Sequence, residues 1–146
     1  MTERVITTGQ ANAAQIIEHL ILCDAAFTPA LSSRVNIAAY GDKLARLALC
    51  IEAWQSTTLA GLLCLYCNDP KQGAFITNIS VLPVFQGIGI AEQLLFQAIA
   101  EVQQIGFTRI KLEVDNANVR AQRLYKKFGF FASQVTPQSM MMTLIL

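Results

Sequence analysis

A turn with two glycines joins an apolar strand to a long helix in the middle of the chain. The strand reads ISVLP over 79–83, and Gly87 and Gly89 follow it before the helical pattern begins. Glycine lets the backbone bend through left-handed conformations and removes side chains where another group must come close. The first turn of a helix also offers unpaired N–H groups and the positive end of its dipole, which together bind phosphate well. This segment therefore predicts a phosphate- or pyrophosphate-binding loop, and it restricts the fold to one in which a strand feeds directly into a helix.

Two common phosphate-binding loops fit this segment poorly. Glu92 stands where a GxGxxG loop would have its third glycine, and the chain lacks the Gly-Lys-Ser/Thr of a Walker loop. A nucleotide-binding protein of another class, with ATP or NAD as its ligand, stays open as an alternative. So does a plain helix start with two turn glycines.

Apolar residues recur with strand-like and helix-like periods in turn along the whole chain. The pattern predicts helices over 11–26, 35–48, 88–105 and 118–128, with a loop over 27–34. It predicts strands over 3–7, 49–54, 59–66, 74–82, 109–114, 130–135 and 140–146, the last one buried. With no repeat or linker, we expect a single domain over 1–146. Its fold class is α/β (α+β), a mixed, mainly antiparallel central sheet of about seven strands flanked by helices on both faces.

Composition argues against several classes of function. The net charge is +1, from 11 basic and 10 acidic residues, and no basic run occurs, so a nucleic-acid or anionic-membrane partner has little support. No uninterrupted apolar stretch of about 18 residues exists, and the N-terminal MTERVITTGQ lacks the pattern of a signal peptide. We therefore expect a cytoplasmic protein. Charged residues make up 14% of the chain, which leaves room for a further buried surface such as a homodimer interface.

Cys64 and Cys67 form a CxxC motif, which is typical of zinc and redox sites. The motif lies in the apolar segment LAGLLCLYC, which is predicted to be a strand, where positions three apart face opposite sides. No second CxxC or histidine pair completes a tetrahedral site. We expect no metal and interpret these two, with Cys23 and Cys50, as buried thiols. The single histidine, His19, is interpreted as a packed or surface residue of the first helix.

Two motifs resemble those of the GCN5-related N-acetyltransferases (the GNAT superfamily). The glycine turn is similar to the family's Gln/Arg-x-x-Gly-x-Gly/Ala signature, and a later segment is similar to its closing LYxKxGF motif. In this chain they read Gln86-Gly87-Ile88-Gly89-Ile90-Ala91, after Val81-Leu82-Pro83, and Leu124-Tyr125-Lys126-Lys127-Phe128-Gly129-Phe130, after Asn118. Their order and spacing also resemble the family. The resemblance covers at least 59–135, and the N-terminal third is similar only in its strand–helix–helix order.

The resemblance implies that acetyl-CoA is the cosubstrate. Its pyrophosphate is expected on the amides of Gln86, Gly87, Ile88, Gly89, Ile90 and Ala91. Its pantetheine arm is expected to pair like an added strand with the backbone of Ile79, Ser80 and Val81. That pairing requires the strand ending at Leu82 to splay from the strand beginning at Arg109, because the backbone groups must be left free. Asn118, Tyr125 and Lys127 complete the expected cofactor site.

Two residues are candidates for the chemistry. A tyrosine has a reference pKa of about 10 and carries its proton at neutral pH, so it can protonate a departing thiolate; the resemblance assigns this role to Tyr125. Glu113 alternates with apolar strand neighbours and points to the opposite sheet face. It precedes Tyr125 at the spacing of a glutamate base in relatives that acetylate protein N-termini. A packed tyrosine and a structural or solvated carboxylate remain the alternatives.

The expected activity is direct acetyl transfer from acetyl-CoA to a primary amine, without an acyl-enzyme. We expect a small-molecule amine as the acceptor, because no acidic or basic docking surface for a protein is evident. A protein N-terminus or a lysine is the alternative acceptor. A non-catalytic CoA-binding or regulatory module on the same fold is the alternative to an enzyme.

Overall fold

The computed structural model describes residues 3–146, and seven strands form one sheet in it. The strands are β1 Arg4–Thr8, β2 Leu49–Gln55, β3 Thr58–Tyr66, β4 Ala74–Val81, β5 Arg109–Asp115, β6 Phe131–Val135 and β7 Ser139–Ile145. Their spatial order is β1-β2-β3-β4-β5-β7-β6. β4 and β5 run parallel, and the other neighbours run antiparallel. The expectation of a mixed, mainly antiparallel sheet is confirmed.

Four α-helices cover the two faces of this sheet. They are α1 Ala13–Cys23, α2 Ile37–Leu47, α3 Ile90–Gln104 and α4 Val119–Lys127; three 3-10 turns lie at Asp24–Ala26, Leu31–Ser33 and Pro83–Phe85. α3 and α4 pack on one face, in a core that includes Leu94 and Tyr125. α1 and α2 pack on the other, around Ile16 and Leu44. The burial of these two apolar layers is the main favourable term in folding.

The helices are shorter than their apolar patterns predicted, because capping residues set their ends. Asn12, Asn36 and Asn118 each accept a hydrogen bond from a first-turn amide of α1, α2 and α4. The predicted helix over 11–26 therefore begins two residues later, and its last turn is the 3-10 turn at Asp24–Ala26. The predicted loop over 27–34 contains the second 3-10 turn.

The last strand lies inside the sheet, as its MMMTLIL sequence predicted. β7 pairs with β5 on one side and β6 on the other, and Met142 is fully buried. β6 is one of the two edge strands of the sheet, and all five of its residues are exposed. In the described part of the chain, no helix is long and apolar enough to cross a membrane.

The cysteines of the CxxC motif do not meet. Cys64 is fully buried in β3, and its sulfur lies 3.3 Å from that of Cys50 on β2. Cys67 lies beyond the end of β3 and is half-buried. The expectation of four buried thiols is therefore right for Cys23, Cys50 and Cys64 and wrong for Cys67, because the strand ends at Tyr66 before the second cysteine of the motif.

The start of α3 sits unusually close to β3. A Cβ atom added at Gly61 would lie 2.5 Å from Cγ2 of Ile90 and 3.0 Å from Cδ1 of Leu94. Ile90 is the first residue of α3, and it is 2% exposed. Glycine at position 61 therefore allows the helix to seat its first turn against the sheet, directly after the glycine turn.

We predict that Gly61→Ala lowers the free energy of unfolding by about 1–3 kcal/mol, because the added methyl overpacks this contact. Chemical denaturation followed by circular dichroism measures the change. Thr58→Ala, at an exposed position of the same strand, is the matched control and should stay within about 0.5 kcal/mol of the parent. Equal stability of Gly61→Ala and the parent would contradict this account of how α3 is seated.

Candidate active site

β4 and β5 pair at one end and separate at the other. Among the described residues, only Ala74–Ile76 of β4 pair with β5, where their partners are Ile110–Leu112. On its other side β4 stays paired with β3 as far as Val81, with a register shift that leaves Thr77 as the extra residue. A bulge bends the strand that carries it, so β4 turns away from β5 from this point. The predicted splay between the two strands is present.

The backbone of β4 has free hydrogen-bonding groups on the side of this gap. Alternate residues of an antiparallel strand direct both N–H and C=O toward their partner. The Leu82 N–H donates to the Ala60 carbonyl at 2.8 Å. The backbone N–H and C=O groups of Ser80 and Leu82 therefore point toward β3, and those of Ile79 and Val81 point toward the gap. The Val81 carbonyl accepts a 3.4 Å hydrogen bond from the Gln86 side chain. An extended ligand can therefore pair with Ile79 and Val81.

The glycine turn leaves helix α3 with open amides. Gly87 and Gly89 have φ of 82° and 88°, and a Cβ at either would have no described atom within 4 Å. The requirement for glycine is thus conformational rather than a matter of space. Gly89 is the N-cap of α3, and it gives no side-chain cap, in contrast to the asparagine caps of the other three α-helices. The first-turn amides are left for an anion.

A cleft of about 630 Å³ joins the gap and the turn. It brings together nearly all of the residues that the sequence predicted for the cofactor. These are Ile79, Ser80, Val81, Gln86, Gly87, Gly89, Ile90, Ala91, Asn118, Tyr125 and Lys127. Ile88 does not line it: its side chain is 54% exposed and turns away.

Asn118 and Lys127 each have an intramolecular partner. The Asn118 side-chain oxygen caps α4 through the Ala121 N–H at 3.2 Å. The Lys127 ammonium lies 2.8 Å from the Glu92 carboxylate, and both side chains are largely exposed. Since an exposed ion pair of this kind is weak, Lys127 remains available to a phosphate. Arg120 and Arg123 also line the cleft and were not anticipated; their positions on an exposed helix face gave no signal in the sequence.

Tyr125 is held firmly at the wall of the cleft. Its side chain is 5% exposed, and its ring packs on Phe130 with the centroids 5.8 Å apart. The Gln122 side chain fixes α4 by donating to the carbonyls of Asp115 and Asn116 at 3.1 and 3.0 Å. Burial raises the pKa of Tyr125 above its ordinary value. The phenol is therefore a proton donor throughout the neutral range.

Glu113 lies apart from this cleft. The neighbouring residues Ile110, Leu112 and Val114 are buried in the α3 core, so Glu113 is on the α1 face, as its alternation predicted. Its side chain is exposed, and its carboxylate accepts a 3.0 Å hydrogen bond from the Ser139 hydroxyl. Glu113 is not among the residues that line the cleft. Of the two predicted catalytic residues, Tyr125 therefore lines the cleft and Glu113 does not.

A buried polar cluster that the sequence analysis missed lies against the α1 side of the cleft. His19 is 2% exposed; its Nδ1 lies 2.8 Å from the Leu59 carbonyl and its Nε2 2.9 Å from the Ser80 hydroxyl. The Asn78 side chain donates to the same hydroxyl at 3.0 Å. The Cys23 sulfur lies 3.6 Å from Nε2. The spacing of His19 and Cys23, one helical turn apart, was the available signal.

The cleft has the chemistry needed for a coenzyme A thioester. Open helix amides suit a diphosphate, and free strand groups suit the amides of a pantetheine arm. A buried phenol suits a departing thiolate. The cleft opens on both sheet faces, because Tyr125 lines it from the α4 side and Cys23 and Ser80 from the α1 side.

Curated relatives share sequence with part of the chain. A [ribosomal protein bS18]-alanine N-acetyltransferase of Haemophilus ducreyi is 37% identical over 70 residues, which are 48% of this chain and 47% of that protein. A putative enzyme of the same name from Bacillus subtilis is 41% identical over 56 residues, 38% of this chain and 37% of that protein. The matches thus span less than half of each relative.

These relatives overturn one expectation from the sequence. A small-molecule amine was expected because no charged docking surface was evident, yet the relatives are named for a protein acceptor. The expectation of a small-molecule partner is therefore wrong. Overall charge was a poor guide because a single terminal amine can be recognised within a cleft, without a charged surface around it.

Solved structures with the same fold cover nearly the whole chain. The ribosomal-protein-S18-alanine N-acetyltransferase of Escherichia coli has a TM-score of 0.78 at 20% identity, over 98% of this chain and 94% of that one. The PaiA N-acetyltransferase of Thermoplasma acidophilum, in complex with coenzyme A, has a TM-score of 0.78 at 16% identity, over 97% and 99%. At such identities the likeness concerns the fold.

The family model described as the acetyltransferase (GNAT) family matches residues 15–130. That range contains the splayed strands, the glycine turn and Tyr125, and it begins well before residue 59, where the resemblance of the sequence motifs begins. The resemblance is confirmed, and the chain belongs to the acetyltransferase (GNAT) family.

Proposed function

We propose that this chain transfers the acetyl group of acetyl-CoA directly to the N-terminal α-amine of a protein. The observation that carries the proposal is the cleft itself. It joins uncapped helix amides, unpaired β4 backbone and a buried phenol in one continuous space. The membership in an acetyltransferase family supports acetyl-CoA as the acyl donor.

The residues around the cleft have separate tasks in this proposal. The amides of the turn over 86–91 hold the diphosphate, and Ile79 and Val81 hold the pantetheine arm in register. The free amine attacks the thioester carbonyl, so that a C–N bond forms and the C–S bond breaks. Tyr125 gives its proton to the sulfur, and burial keeps that proton in place until the thiolate develops.

The names of the curated relatives support a protein acceptor with an N-terminal alanine, such as a ribosomal protein. An alanine side chain is small, which suits an acceptor that must enter between α1 and the end of β4. A ribosomal acceptor would also place the reaction in the compartment that holds ribosomes. A lysine acceptor, the alternative, would present its amine at the end of a long side chain, whereas an N-terminal amine is attached directly to the backbone.

We predict that a short peptide with a free N-terminal alanine is acetylated at least about tenfold faster than other amines, a difference of ~1.4 kcal/mol in the barrier. The measurement is release of free thiol from acetyl-CoA, with mass spectrometry of the peptide. The matched control is the same peptide with a blocked N-terminus and one internal lysine. Faster acetylation of that control, or of free small amines, would contradict the proposal.

We predict that Tyr125→Phe lowers kcat by about 100-fold or more, because the thiolate must then leave without its acid. The dissociation constant for CoA should change little, since the ring and its packing on Phe130 remain. Tyr66→Phe is the matched control: in the described part of the chain the buried Tyr66 hydroxyl has no hydrogen-bond partner, and the residue does not line the cleft. Full turnover in Tyr125→Phe would remove this residue from the chemistry.

A further inference from the structure

We propose that Ser80 and His19 form the proton relay that deprotonates the acceptor amine on the α1 side of the cleft. The proposal rests on the proposed acetyl transfer and names a different base from the glutamate that the sequence suggested. It stands on the hydrogen bonds of one buried cluster and on the position of Ser80 at the wall of the cleft.

The hydrogen bonds determine the tautomer of His19. The Leu59 carbonyl can only accept, so the Nδ1 that lies 2.8 Å from it must carry a proton. In the neutral ring Nε2 then has a lone pair, and the Ser80 hydroxyl at 2.9 Å donates to it. The backbone of β3 thus holds the imidazole with its basic nitrogen toward Ser80.

The same accounting leaves one acceptor position on the Ser80 oxygen without a strong donor. A hydroxyl has one donor and two acceptor sites. The proton goes to His19, and one lone pair accepts from the Asn78 side chain at 3.0 Å. The second lone pair is open to the weakly donating Cys23 thiol, which hydrogen-bonds to Ser80, and to a stronger donor in the cleft, which Ser80 lines. An acceptor amine is such a donor, and its N–H would complete the chain.

The groups around His19 favour a neutral ring before reaction. Burial lowers the pKa of His19, while its hydrogen bonds act in the opposite direction and more weakly. Burial raises the pKa of Cys23 to about 12, so its thiol stays neutral beside Nε2. From α2, Tyr40 bonds to Thr77 of β4, and burial raises its pKa to about 12 as well.

Besides Glu113, which accepts from the Ser139 hydroxyl, Glu52 and Asp24 lie toward this face, and each has its own donors. Glu52 accepts from the Thr7 hydroxyl and from the N–H groups of Gln10 and Ala11, at 2.6 to 2.9 Å. Asp24 accepts from the Ser32 N–H at 2.7 Å, and hydrogen bonds from Ser32 lower its pKa. Both carboxylates are thus bound to donors of their own, whereas the lone pair of Nε2 is directed at Ser80.

The protons balance in this scheme. As the C–N bond forms, the amine proton passes to the Ser80 oxygen while the Ser80 proton passes to Nε2 of His19. As the C–S bond breaks, Tyr125 protonates the sulfur. The imidazolium then returns its proton through Ser80 to solvent after the products leave, and Tyr125 regains one from solvent. Acid and base thus act from opposite faces of the sheet, and Ser80 is never acylated.

The kinetic test uses the acetyl-CoA assay with the alanine peptide. Ser80→Ala should lower kcat by about 100-fold, and Ser80→Thr, which keeps a hydroxyl, should restore most of it. The KM for acetyl-CoA should stay within about twofold in both. The matched control is Ser133→Ala. Ser133 lies on the exposed edge strand β6, and the substitution removes a hydroxyl that is hydrogen-bonded to Thr143 of β7. Circular dichroism confirms that each variant is folded.

The pH profile separates a base from a structural residue. In the parent, kcat should fall as pH drops through the pKa of His19, below about 6.5, because the protonated ring cannot accept a proton. His19→Gln, which can still bond to Leu59 and Ser80, should lose that acid limb along with most of kcat. An unchanged limb in His19→Gln would overturn the relay, as would a larger loss in Glu113→Gln than in Ser80→Ala.

A second measurement needs no variant. His19 is the one histidine of the chain, so in protein without a histidine tag its ring nitrogen resonances can be assigned at once by NMR. We expect the Nδ1–H tautomer at neutral pH, and the Nε2–H tautomer would overturn the relay.

If the parent transfers no acetyl group to any peptide, the proposed function fails and the relay with it. If the parent transfers and Ser80→Ala stays within about threefold of it, or Ser80 is found acetylated, the relay alone fails.

Discussion

The separation of β4 from β5 is the constraint on which the rest of the molecule depends. Three residue pairs hold the two strands together, and beyond Thr77 they part. Unpaired strand groups inside a sheet are costly unless a ligand or water bonds to them, so this gap is kept open by the rest of the fold. The bulge in β4 leaves Thr77 as the extra residue where the strands part, and the Tyr40 hydroxyl donates to the carbonyl of that residue.

The gap divides the proposed chemistry between the two faces of the sheet. On one face α4 presents a buried, protonated tyrosine, and on the other α1 presents a buried, neutral histidine behind a serine hydroxyl. Acid and base that share one open face would exchange protons through solvent. Here β4 itself separates the two groups.

Sequence reasoning predicted the fold, and most of the residues that it assigned to the cofactor line one cleft, because both results depend on local signals. Alternating strands, helical stripes and two glycines with positive φ are written within a few residues of each other. The starts of α1 and α2 were misplaced because the asparagine caps, rather than the apolar pattern, determine where these helices begin. Ile88 was assigned to the cofactor site through its backbone amide, and its side chain does not line the cleft.

The sequence by itself determined the order of the strands and helices along the chain, the glycine turn and the apolar layers, since each follows from neighbours in the chain. Tertiary structure alone decided that His19 meets Ser80, 61 residues away, and that Glu113 lies outside the cleft. Those contacts depend on how α1 crosses the sheet and on which face each strand residue occupies after the bulge. A histidine on an apolar helix face has the same local pattern whether it packs inertly or faces a hydroxyl, so no local rule distinguishes the two.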